Sequence, residues 1–357
     1  MASYPRTRVD VAEFTTRPAE VFGLPLAVDD MSLAHHLGIR NKTLWFLVRD
    51  RSTHYETLRI PKRGNQEGFR ELQNPNDRLK DVQRALLVKF LEPISQPAHV
   101  GAYVPGRSCK YTAEQHTNKG IILSMDLKDF FPSVRRSMIK RFFRDCVGYN
   151  NKVASMLAAL MTYEKTLESG KKLNYVPQGA PTSGLISNLV ANYLFDGKIL
   201  QALSKLDPEW TYTRYSDDLD ISHPEYQEKE VTKKIVGLVQ KIVGNEGFSI
   251  NRGKTKREPY MHQQKVLGMV VNKKVNIPRQ QFMRLRSLVH NCYVHGMETQ
   301  YRRAGMKSVD ELEMHVQGKL AYFGQAAKPR AAVLKQKFQV AKDARKKAEA
   351  KPKEIQF

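Results

Sequence analysis

The sequence WTYTRYSDDLDIS, from Trp210 to Ser222, places two adjacent aspartates between two segments of strand-like composition. Trp210 to Tyr215 and Leu219 to Ser222 largely alternate apolar and polar residues, so the stretch predicts a hairpin. Asp217 and Asp218 then lie in or beside its turn. Because Asp is a favoured turn residue, the pair alone does not identify a site.

A third aspartate ends a short apolar segment about ninety residues upstream. Ile121 to Met125 (IILSM) predicts a strand, and Asp126 follows it directly. The three carboxylates can converge if the two strands are neighbours in one sheet, and they would repel each other unless cations lay between them. Hard oxygen ligands favour Mg²⁺ or Mn²⁺. Two such ions would activate an attacking 3′ hydroxyl and stabilise a leaving pyrophosphate.

Three segments, in this order, resemble the palm motifs of reverse transcriptases. Ser124 to Phe131 (SMDLKDFF) is similar to the first metal-binding motif. Pro177 to Asn188 (PQGAPTSGLISN) is similar to the loop and helix that support the incoming nucleotide and template, and Tyr215 to Asp218 (YSDD) to the Tyr-x-Asp-Asp box. The resemblance covers about Tyr55 to Ile277. It implies an α+β, right-hand polymerase fold with fingers, a palm of antiparallel sheet plus helices, and a helical thumb.

The resemblance also implies which residues carry the chemistry. The catalytic residues, and the ligands of two Mg²⁺ ions or of Mn²⁺, would be Asp126, Asp217 and Asp218. Phe131 stands where the family has an aromatic gate whose ring clashes with a ribose 2′ hydroxyl; the alternative is a core residue beside Phe130. The other nucleotide-binding candidates are Arg59, Lys62, Arg70, Gln178, Gly179 and Lys254. Among them, Arg70 best resembles the triphosphate-binding arginine, and Lys254 a general acid for pyrophosphate.

The resemblance, together with periodicity and charge, implies five regions. Residues 1–50 predict an N-terminal helical lead-in, 51–120 the fingers, 121–277 the palm with helical insertions, 278–340 a basic helical thumb, and 341–357 a basic tail. Val266 to Asn272 and Val275 to Ile277 predict a hairpin around Lys273 and Lys274. The residues that resemble the family's primer grip are Val266, Leu267 and Gly268.

The charge of the chain predicts a polyanionic partner. Lys and Arg number 59 against 36 Asp and Glu, a formal net charge of +23 over 357 residues. Because the cations are spread along the chain, nucleic acid is favoured over an acidic membrane surface. Candidate RNA contacts are His116, Arg279, Arg284, Arg286, Arg302, Arg303, Lys307 and Lys319. The alternative is a solvated helix face, or packing in the case of His116.

Cysteine usage and hydropathy predict the compartment. The cysteines Cys109, Cys146 and Cys292 are far apart, which argues against a disulfide framework or a structural zinc site and fits a reducing cytoplasm. We expect no signal peptide, because Met1 to Asp10 is polar. We expect no membrane partner, because no stretch approaches the roughly 20 apolar residues that span a bilayer.

Chain length and short signatures indicate the retron type of bacterial reverse transcriptase. Tyr103 to Ser108 (YVPGRS) and Phe130 to Ser133 (FFPS) look retron-like, whereas the family's Asn-Ala-x-x-His and Val-Thr-Gly signatures are altered at Thr112 and Leu267. The type implies a cognate structured noncoding RNA. Part of it would be copied with deoxynucleoside triphosphates, from a guanosine 2′ hydroxyl, into branched, RNA-linked single-stranded DNA (msDNA). A separate effector protein would act with it in antiphage defence.

Three alternatives stay open at the level of sequence. The departures at Thr112 and Leu267 leave room for another stand-alone bacterial reverse transcriptase, of abortive-infection or group II-like type. A noncatalytic RNA-binding scaffold would have no chemical reason to keep three mutually repelling aspartates. An RNA-dependent RNA polymerase would share the two-metal palm, and Phe131 discriminates against it because a bulky gate disfavours ribonucleotides.

Overall fold

The structure is a computed structural model that describes residues 19–49, 51–61 and 68–349. Lys62, residues 1–18 of the predicted helical lead-in and residues 350–357 of the predicted basic tail therefore lie outside the described residues. The chain forms two compact units. Of the described residues, the first unit comprises those within 19–107, 123–223 and 227–257, and the second comprises those within 108–122, 224–226 and 258–349. The predicted boundaries of fingers, palm and thumb stay predictions, although residues 258–277 group with the helices that follow them.

The order of elements alternates strands and helices before a helical end. The described helices are α1 (Asp30–His36), α2 (Asn41–Arg49), α3 (Asp77–Leu86), α4 (Cys109–Glu114), α5 (Phe130–Ser133), α6 (Arg136–Arg141), α7 (Asn151–Leu160), α8 (Ser183–Ala191), α9 (Gly197–Leu206), α10 (Lys229–Asn245), α11 (Arg279–His295), α12 (Met297–Arg303), α13 (Val309–Ala326) and α14 (Lys328–Glu349). The described strands are β1 (Tyr55–Pro61), β2 (Phe69–Pro75), β3 (Ile121–Asp126), β4 (Tyr163–Thr166), β5 (Lys172–Tyr175), β6 (Thr211–Tyr215), β7 (Asp218–His223), β8 (Lys256–Pro259), β9 (Lys265–Val266) and β10 (Met269–Val270).

Local sequence signals set the elements around the β1–β2 hairpin. The two strands are antiparallel, with Ile60 opposite Arg70. α3 begins after Asn76, whose side chain accepts a hydrogen bond from the backbone N–H of Leu79. Such an N-cap supplies a partner to one of the unpaired N–H groups of the first turn.

A four-stranded sheet in the order β6-β7-β3-β8 carries the strands that bear the three aspartates. β6 and β7 are antiparallel and place Tyr215 opposite Asp218. β3 lies next to β7, so the expectation that the two aspartate-bearing strands are neighbours is confirmed. Every residue of α8 except Gly184 is buried, as expected for a helix that is apolar or small on all sides.

The second unit packs α11, α13 and α14 around an apolar core. Its fully buried members include Val289, Leu312, Val316 and Phe323. The β9–β10 hairpin contributes Val266 to the same core. None of the described helices is both long enough and apolar enough to cross a bilayer.

The primer-grip segment contains the predicted hairpin and a second turn. Val270 pairs with Asn276 through backbone hydrogen bonds of 2.8 and 2.9 Å, which confirms a hairpin around Lys273 and Lys274. Before it, β9 pairs with β10 across a turn at Leu267 and Gly268 that was not predicted. Leu267 and Gly268 have φ angles of +50° and +79°, and two residues with positive φ are what a tight type I′ hairpin turn requires. The glycine was the decisive signal. The β4–β5 hairpin was not predicted at all.

Candidate active site

Backbone hydrogen bonds join the end of β3 to the turn between β6 and β7. The N–H of Leu127, the residue after Asp126, donates to the carbonyl oxygen of Asp217 at 2.8 Å. On the other side of β3, the N–H of Asn251 donates to the carbonyl oxygen of Asp126 at 2.7 Å. The structure therefore brings Asp126 together with Asp217 and Asp218, although about ninety residues separate them in sequence.

The aspartate turn adopts a strained backbone. Ser216 has a φ angle of +60°, a left-handed conformation that costs a non-glycine residue roughly 1–2 kcal/mol. Such strain persists only where surrounding contacts over-determine it, and it is often found at functional sites. Here one of those contacts comes from the guanidinium of Arg214, whose Nη1 donates to the Ser216 carbonyl oxygen at 3.4 Å.

The electrostatics of the site concentrate negative charge. Burial raises the pKa of Asp218 to about 6, and repulsion by Asp217 and Asp126 adds to the rise. Burial also raises the pKa of Asp217, again with a contribution from Asp126. The Nζ of Lys254 donates to Asp126 Oδ1 at 2.7 Å, and this hydrogen bond raises the pKa of Lys254. Lys254, with Lys256 acting on Asp218, compensates the three carboxylates only in part, so a bound cation would stabilise the site.

The donor set fits a hard divalent cation, because all three aspartates offer only carboxylate oxygens. The carboxylate oxygens of these three aspartates lie farther apart than the potential ligand atoms of a second group of side chains. Among the described residues, three such atoms lie within 4.8 Å of one another at Asp207, Glu209 and His223. There the buried His223 ring nitrogen lies 3.2 Å from Asp207 Oδ2, so a hydrogen-bonded pair accounts for that grouping.

The Pro177–Ser183 loop packs against β2. The N–H of Gln73 donates to the carbonyl oxygen of Gln178 at 2.8 Å. Gly179 has a φ angle of +112°, and a Cβ there would lie 3.4 Å from the carbonyl oxygen of Gln73 and 4.0 Å from Leu72 Cβ. Glycine thus permits both the backbone conformation and the close approach.

The two described finger arginines lie on opposite faces of the β1–β2 hairpin. Arg59 is paired in register with Glu71 and lies 3.5 Å from its carboxylate. Arg70 is exposed and shares a strand face with Leu72, the residue that approaches Gly179. The Gln178–Gly179 loop contacts both faces, since Gly179 approaches Leu72 whereas the N–H of Gln178 donates to Gln73 Oε1, on the face of Arg59 and Glu71, at 3.3 Å.

Phe131 is half-buried at the edge of the aspartate site. Its ring lies 5.5 Å from that of Phe130 and 6.1 Å, edge to face, from that of Tyr103 (centroid to centroid). Phe130 is buried and has the guanidinium of Arg214 at 5.7 Å over its ring. The two phenylalanines therefore differ: Phe130 belongs to the core, and Phe131 keeps an accessible surface.

A buried ionic network behind the turn was missed at the level of sequence. Arg214 and Asp196 are fully buried and joined by hydrogen bonds of 2.8 to 3.0 Å. Burial alone would raise the pKa of Asp196, but Arg214 and His99 hold it below its usual value. Arg214 also donates to Asn188 Oδ1 at 2.7 Å. A charged residue within the alternating pattern of Trp210–Tyr215 was the available signal.

The predicted primer-grip residues contact helix α13, which lies in the same unit as they do. The hydroxyl of Tyr322, in α13, donates to the carbonyl oxygen of Leu267 at 2.7 Å. A Cβ on Gly268 would lie 3.0 Å from the same hydroxyl oxygen. Val266 is fully buried in the core of this unit, so it supports the turn rather than forming part of its surface.

The candidate RNA contacts separate into two groups. Those of the C-terminal helices and their connections are all exposed: Arg279, Arg284, Arg286, Arg302, Arg303, Lys307 and Lys319. His116, in contrast, is fully buried, and burial lowers its pKa to about 3. A neutral, buried imidazole has no surface for direct contact with RNA, so the structure favours the packing alternative for His116.

Comparison with known proteins identifies what the chain is similar to. A family model described as reverse transcriptase (RNA-dependent DNA polymerase) matches residues 60–271. The chain is 35% identical over 317 residues to the retron Mx65 reverse transcriptase of Myxococcus xanthus, covering 84% of this chain and 69% of that protein. It is 34% identical over 289 residues to the retron Mx162 enzyme of the same organism (73% and 58%). For the retron Ec86 enzyme of Escherichia coli, the identity is 29% over 274 residues (76% and 80%).

Proposed function

Because the chain belongs to the reverse transcriptase family, and within it to the retron type, we propose that it makes branched msDNA from its own noncoding RNA. The family consists of RNA-directed DNA polymerases that use divalent metal ions and act on RNA and nucleotide substrates. In the proposed reaction, a guanosine 2′ hydroxyl of the RNA primes synthesis. Part of that RNA then serves as template, and the DNA stays joined to it.

The observation that carries this proposal is the hydrogen bond between Leu127 and Asp217, which holds the end of β3 against the aspartate turn. Asp126, Asp217 and Asp218 would hold two Mg²⁺ ions, or Mn²⁺ in their place. When bound, the ions supply activation of the attacking hydroxyl and stabilisation of the leaving pyrophosphate. Lys254, whose Nζ donates to Asp126 Oδ1 at 2.7 Å, is close enough to this site to serve as the general acid that delivers a proton to the departing pyrophosphate.

The nucleotide pocket is proposed to lie between the loop at Gly179 and the half-buried ring of Phe131. Gln178 and Gly179 bring backbone close to the substrate, and the exposed guanidinium of Arg70 pairs with the triphosphate. Phe131 selects deoxynucleotides, because its ring would clash with a ribose 2′ hydroxyl. Arg59 and Lys62 stay secondary candidates: Glu71 already pairs with Arg59, and Lys62 lies outside the described residues.

RNA recognition is proposed for the exposed cations of α11, α12 and the segment that follows. Structured RNA is recognised mostly through shape and backbone, for which Lys and Arg on a helix face suffice. The turn at Leu267 and Gly268, docked on Tyr322, is proposed to support the primer strand. We further propose a cytoplasmic enzyme that works with a separate effector protein in antiphage defence, a role supported by the retron relatives alone.

The RNA partner can be tested on the purified protein. RNA that co-purifies from cells would be sequenced and its product digested with ribonuclease. The proposal predicts one predominant structured RNA joined to DNA through a ribonuclease-resistant branch. A heterogeneous pool of RNA, with DNA extended only from ordinary 3′ ends, would contradict the retron-type reaction while leaving reverse transcription intact.

The RNA-binding surface can be tested with a charge-matched comparison. We expect Arg284→Ala with Arg286→Ala to weaken binding of the co-purified RNA. The slope of the logarithm of the binding constant against the logarithm of the salt concentration should become shallower by about one for each arginine removed, because each is expected to contact one phosphate. Lys234→Ala with Lys241→Ala removes two exposed cations from α10, and we expect this pair to change neither quantity. Equal effects of the two sets would mean that general charge, not this helix face, binds the RNA.

A further inference from the structure

Tyr103 has an unusual backbone for an aromatic residue. Its φ angle is +55°, and the other non-glycine residues of the first unit with positive φ, among those that the structure describes, are Asp129 and Ser216. All three lie beside the aspartate site: Asp129 precedes the Phe130–Phe131 pair, and Ser216 begins the aspartate turn. Left-handed backbone at a bulky side chain is costly, so it indicates that the position of this side chain is enforced.

The segment that carries Tyr103 is held from both sides. The N–H of Gly101 donates to the carbonyl oxygen of Arg214 at 2.8 Å, and Asn188 Nδ2 donates to the carbonyl oxygen of Ala102 at 2.6 Å. Arg107 donates to the carbonyl oxygen of Val100 from the C-terminal side. Arg214 and Asn188 belong to the buried ionic network, so that network fixes the Tyr103 segment as well as the aspartate turn.

The Tyr103 side chain contacts three parts of the site at once. Its ring lies directly on α8 at Gly184, where an added Cβ would be 2.5 Å from Cγ and Cδ1 of the ring. Its edge-to-face partner is Phe131, at 6.1 Å between centroids. Its hydroxyl lies 3.4 Å from the hydroxyl of Ser216. The side chain is still 50% exposed, so general core packing does not account for this placement.

We propose that Tyr103 is a positioning residue that holds the Phe131 ring in place and thereby sets the selectivity for deoxynucleotides. The inference rests on the proposed gate function of Phe131. Gly184 leaves room for the tyrosine ring, the clamped backbone aims the ring, and the edge-to-face contact limits the rotation of Phe131. Without the tyrosine ring, Phe131 can tilt into the vacated space and make room for a 2′ hydroxyl.

The test measures sugar discrimination, the ratio of kcat/KM for a deoxynucleotide to that for the matching ribonucleotide, by single-nucleotide extension of a primed RNA template. We expect Phe131→Ala to lower the ratio by roughly 10- to 200-fold, the range typical of discrimination by pocket shape. We expect Tyr103→Ala to lower it by about three- to tenfold, the factor that an edge-to-face aromatic contact commonly supplies. Tyr103→Phe keeps the ring and should recover most of that loss.

Two further variants separate positioning from general damage. Gly184→Ala must displace the tyrosine ring without removing it, so it should lower discrimination in the same direction as Tyr103→Ala. Adding Tyr103→Ala to Phe131→Ala should lower the ratio no further, because the tyrosine acts through the gate. Tyr260→Ala removes a comparably exposed tyrosine from the second unit and should leave discrimination unchanged.

The outcomes distinguish this inference from the gate itself. If Phe131→Ala lowers discrimination and Tyr103→Ala leaves it at the wild-type value, the positioning role is wrong and the gate stands. If Phe131→Ala has no effect, the gate is wrong, and Tyr103 cannot act through it. If the double variant loses more than Phe131→Ala alone, Tyr103 acts independently of the gate, which also overturns the inference.

Discussion

Replacing Asp218 by asparagine should make the metal-free protein more stable while abolishing its activity. The wild-type carboxylate is largely buried beside Asp217 and Asp126, and burial followed by their repulsion raises its pKa to about 6. A neutral amide of nearly the same shape removes the repulsion and the cost of burying a charge. It also removes an oxygen ligand that the reaction requires.

The size of the effect follows from the pKa. At about 1.36 kcal/mol for each tenfold change in proton affinity, the rise from 3.8 to about 6 corresponds to about 3 kcal/mol at pH 7. Solvent screening of a partly exposed group reduces this value, so we expect a gain of roughly 1–3 kcal/mol in the free energy of unfolding. Because the pKa of Asp218 is higher in the folded protein than in the unfolded chain, its ionisation lowers the free energy of unfolding of the wild type above pH 6. This loss becomes smaller as the pH falls towards 4. By pH 5 the advantage of the variant should be about half of its value at pH 7.

Urea unfolding in EDTA at several pH values between 5 and 8 would measure this difference. Asp81→Asn is the control, since Asp81 is an exposed carboxylate on α3 and its replacement should change the free energy of unfolding by no more than about 0.5 kcal/mol. Adding Mg²⁺ should stabilise the wild type more than the Asp218→Asn variant, because a cation that binds only the folded state adds to its stability. The reasoning is refuted if the variant in EDTA is no more stable than the wild type, or if its advantage does not depend on pH.

Three other substitutions test separate parts of the account. Arg214→Met leaves the buried Asp196 without its cation and should cost about 3–5 kcal/mol in urea unfolding; a cost below 1 kcal/mol would mean that Asp196 finds another partner. Gly179→Ala forces alanine to a φ angle of +112° beside the Gln73 carbonyl, so it should cost about 1–3 kcal/mol and raise the KM for deoxynucleotides; an unchanged KM would place the substrate away from this loop. Arg70→Ala should raise that KM by roughly tenfold or more, the factor expected for a lost hydrogen bond to a charged group, with Arg59→Ala as the control of smaller effect. Equal values for the two arginine variants would contradict the proposal that Arg70, rather than the Glu71-paired Arg59, binds the triphosphate.

The parts of the site that depend on local sequence were predictable. Alternating polarity and turn chemistry predict the β6–β7 hairpin, and an apolar run predicts the strand that ends at Asp126. The right-hand fold and the order of motifs followed from resemblance. The hairpin around Lys273 and Lys274 was predicted correctly, since Val270 pairs with Asn276 across it. The tighter turn before it was missed, because it places a leucine, Leu267, beside Gly268 in a backbone of positive φ.

The network behind the site could not be predicted, because its contacts join residues that are distant in sequence. Tyr103 meets Phe131, Gly184 and Ser216 only after β3, α8 and the aspartate turn have assembled. Nothing in the local pattern of a Tyr-Val-Pro-Gly segment specifies those partners. The same holds for His116, where a motif that resembles an RNA-contacting signature turned out to be buried.

The most direct test of the central claim is nucleotide incorporation by the purified protein on a primed RNA template, with labelled deoxynucleotides and Mg²⁺. The wild type is compared with an Asp217→Asn/Asp218→Asn double variant, and folding of both is verified by urea unfolding. The account predicts that the wild type extends the primer and that the folded double variant does not. A wild type that is inert with both Mg²⁺ and Mn²⁺ yet binds one RNA tightly would contradict it and identify a noncatalytic RNA-binding scaffold.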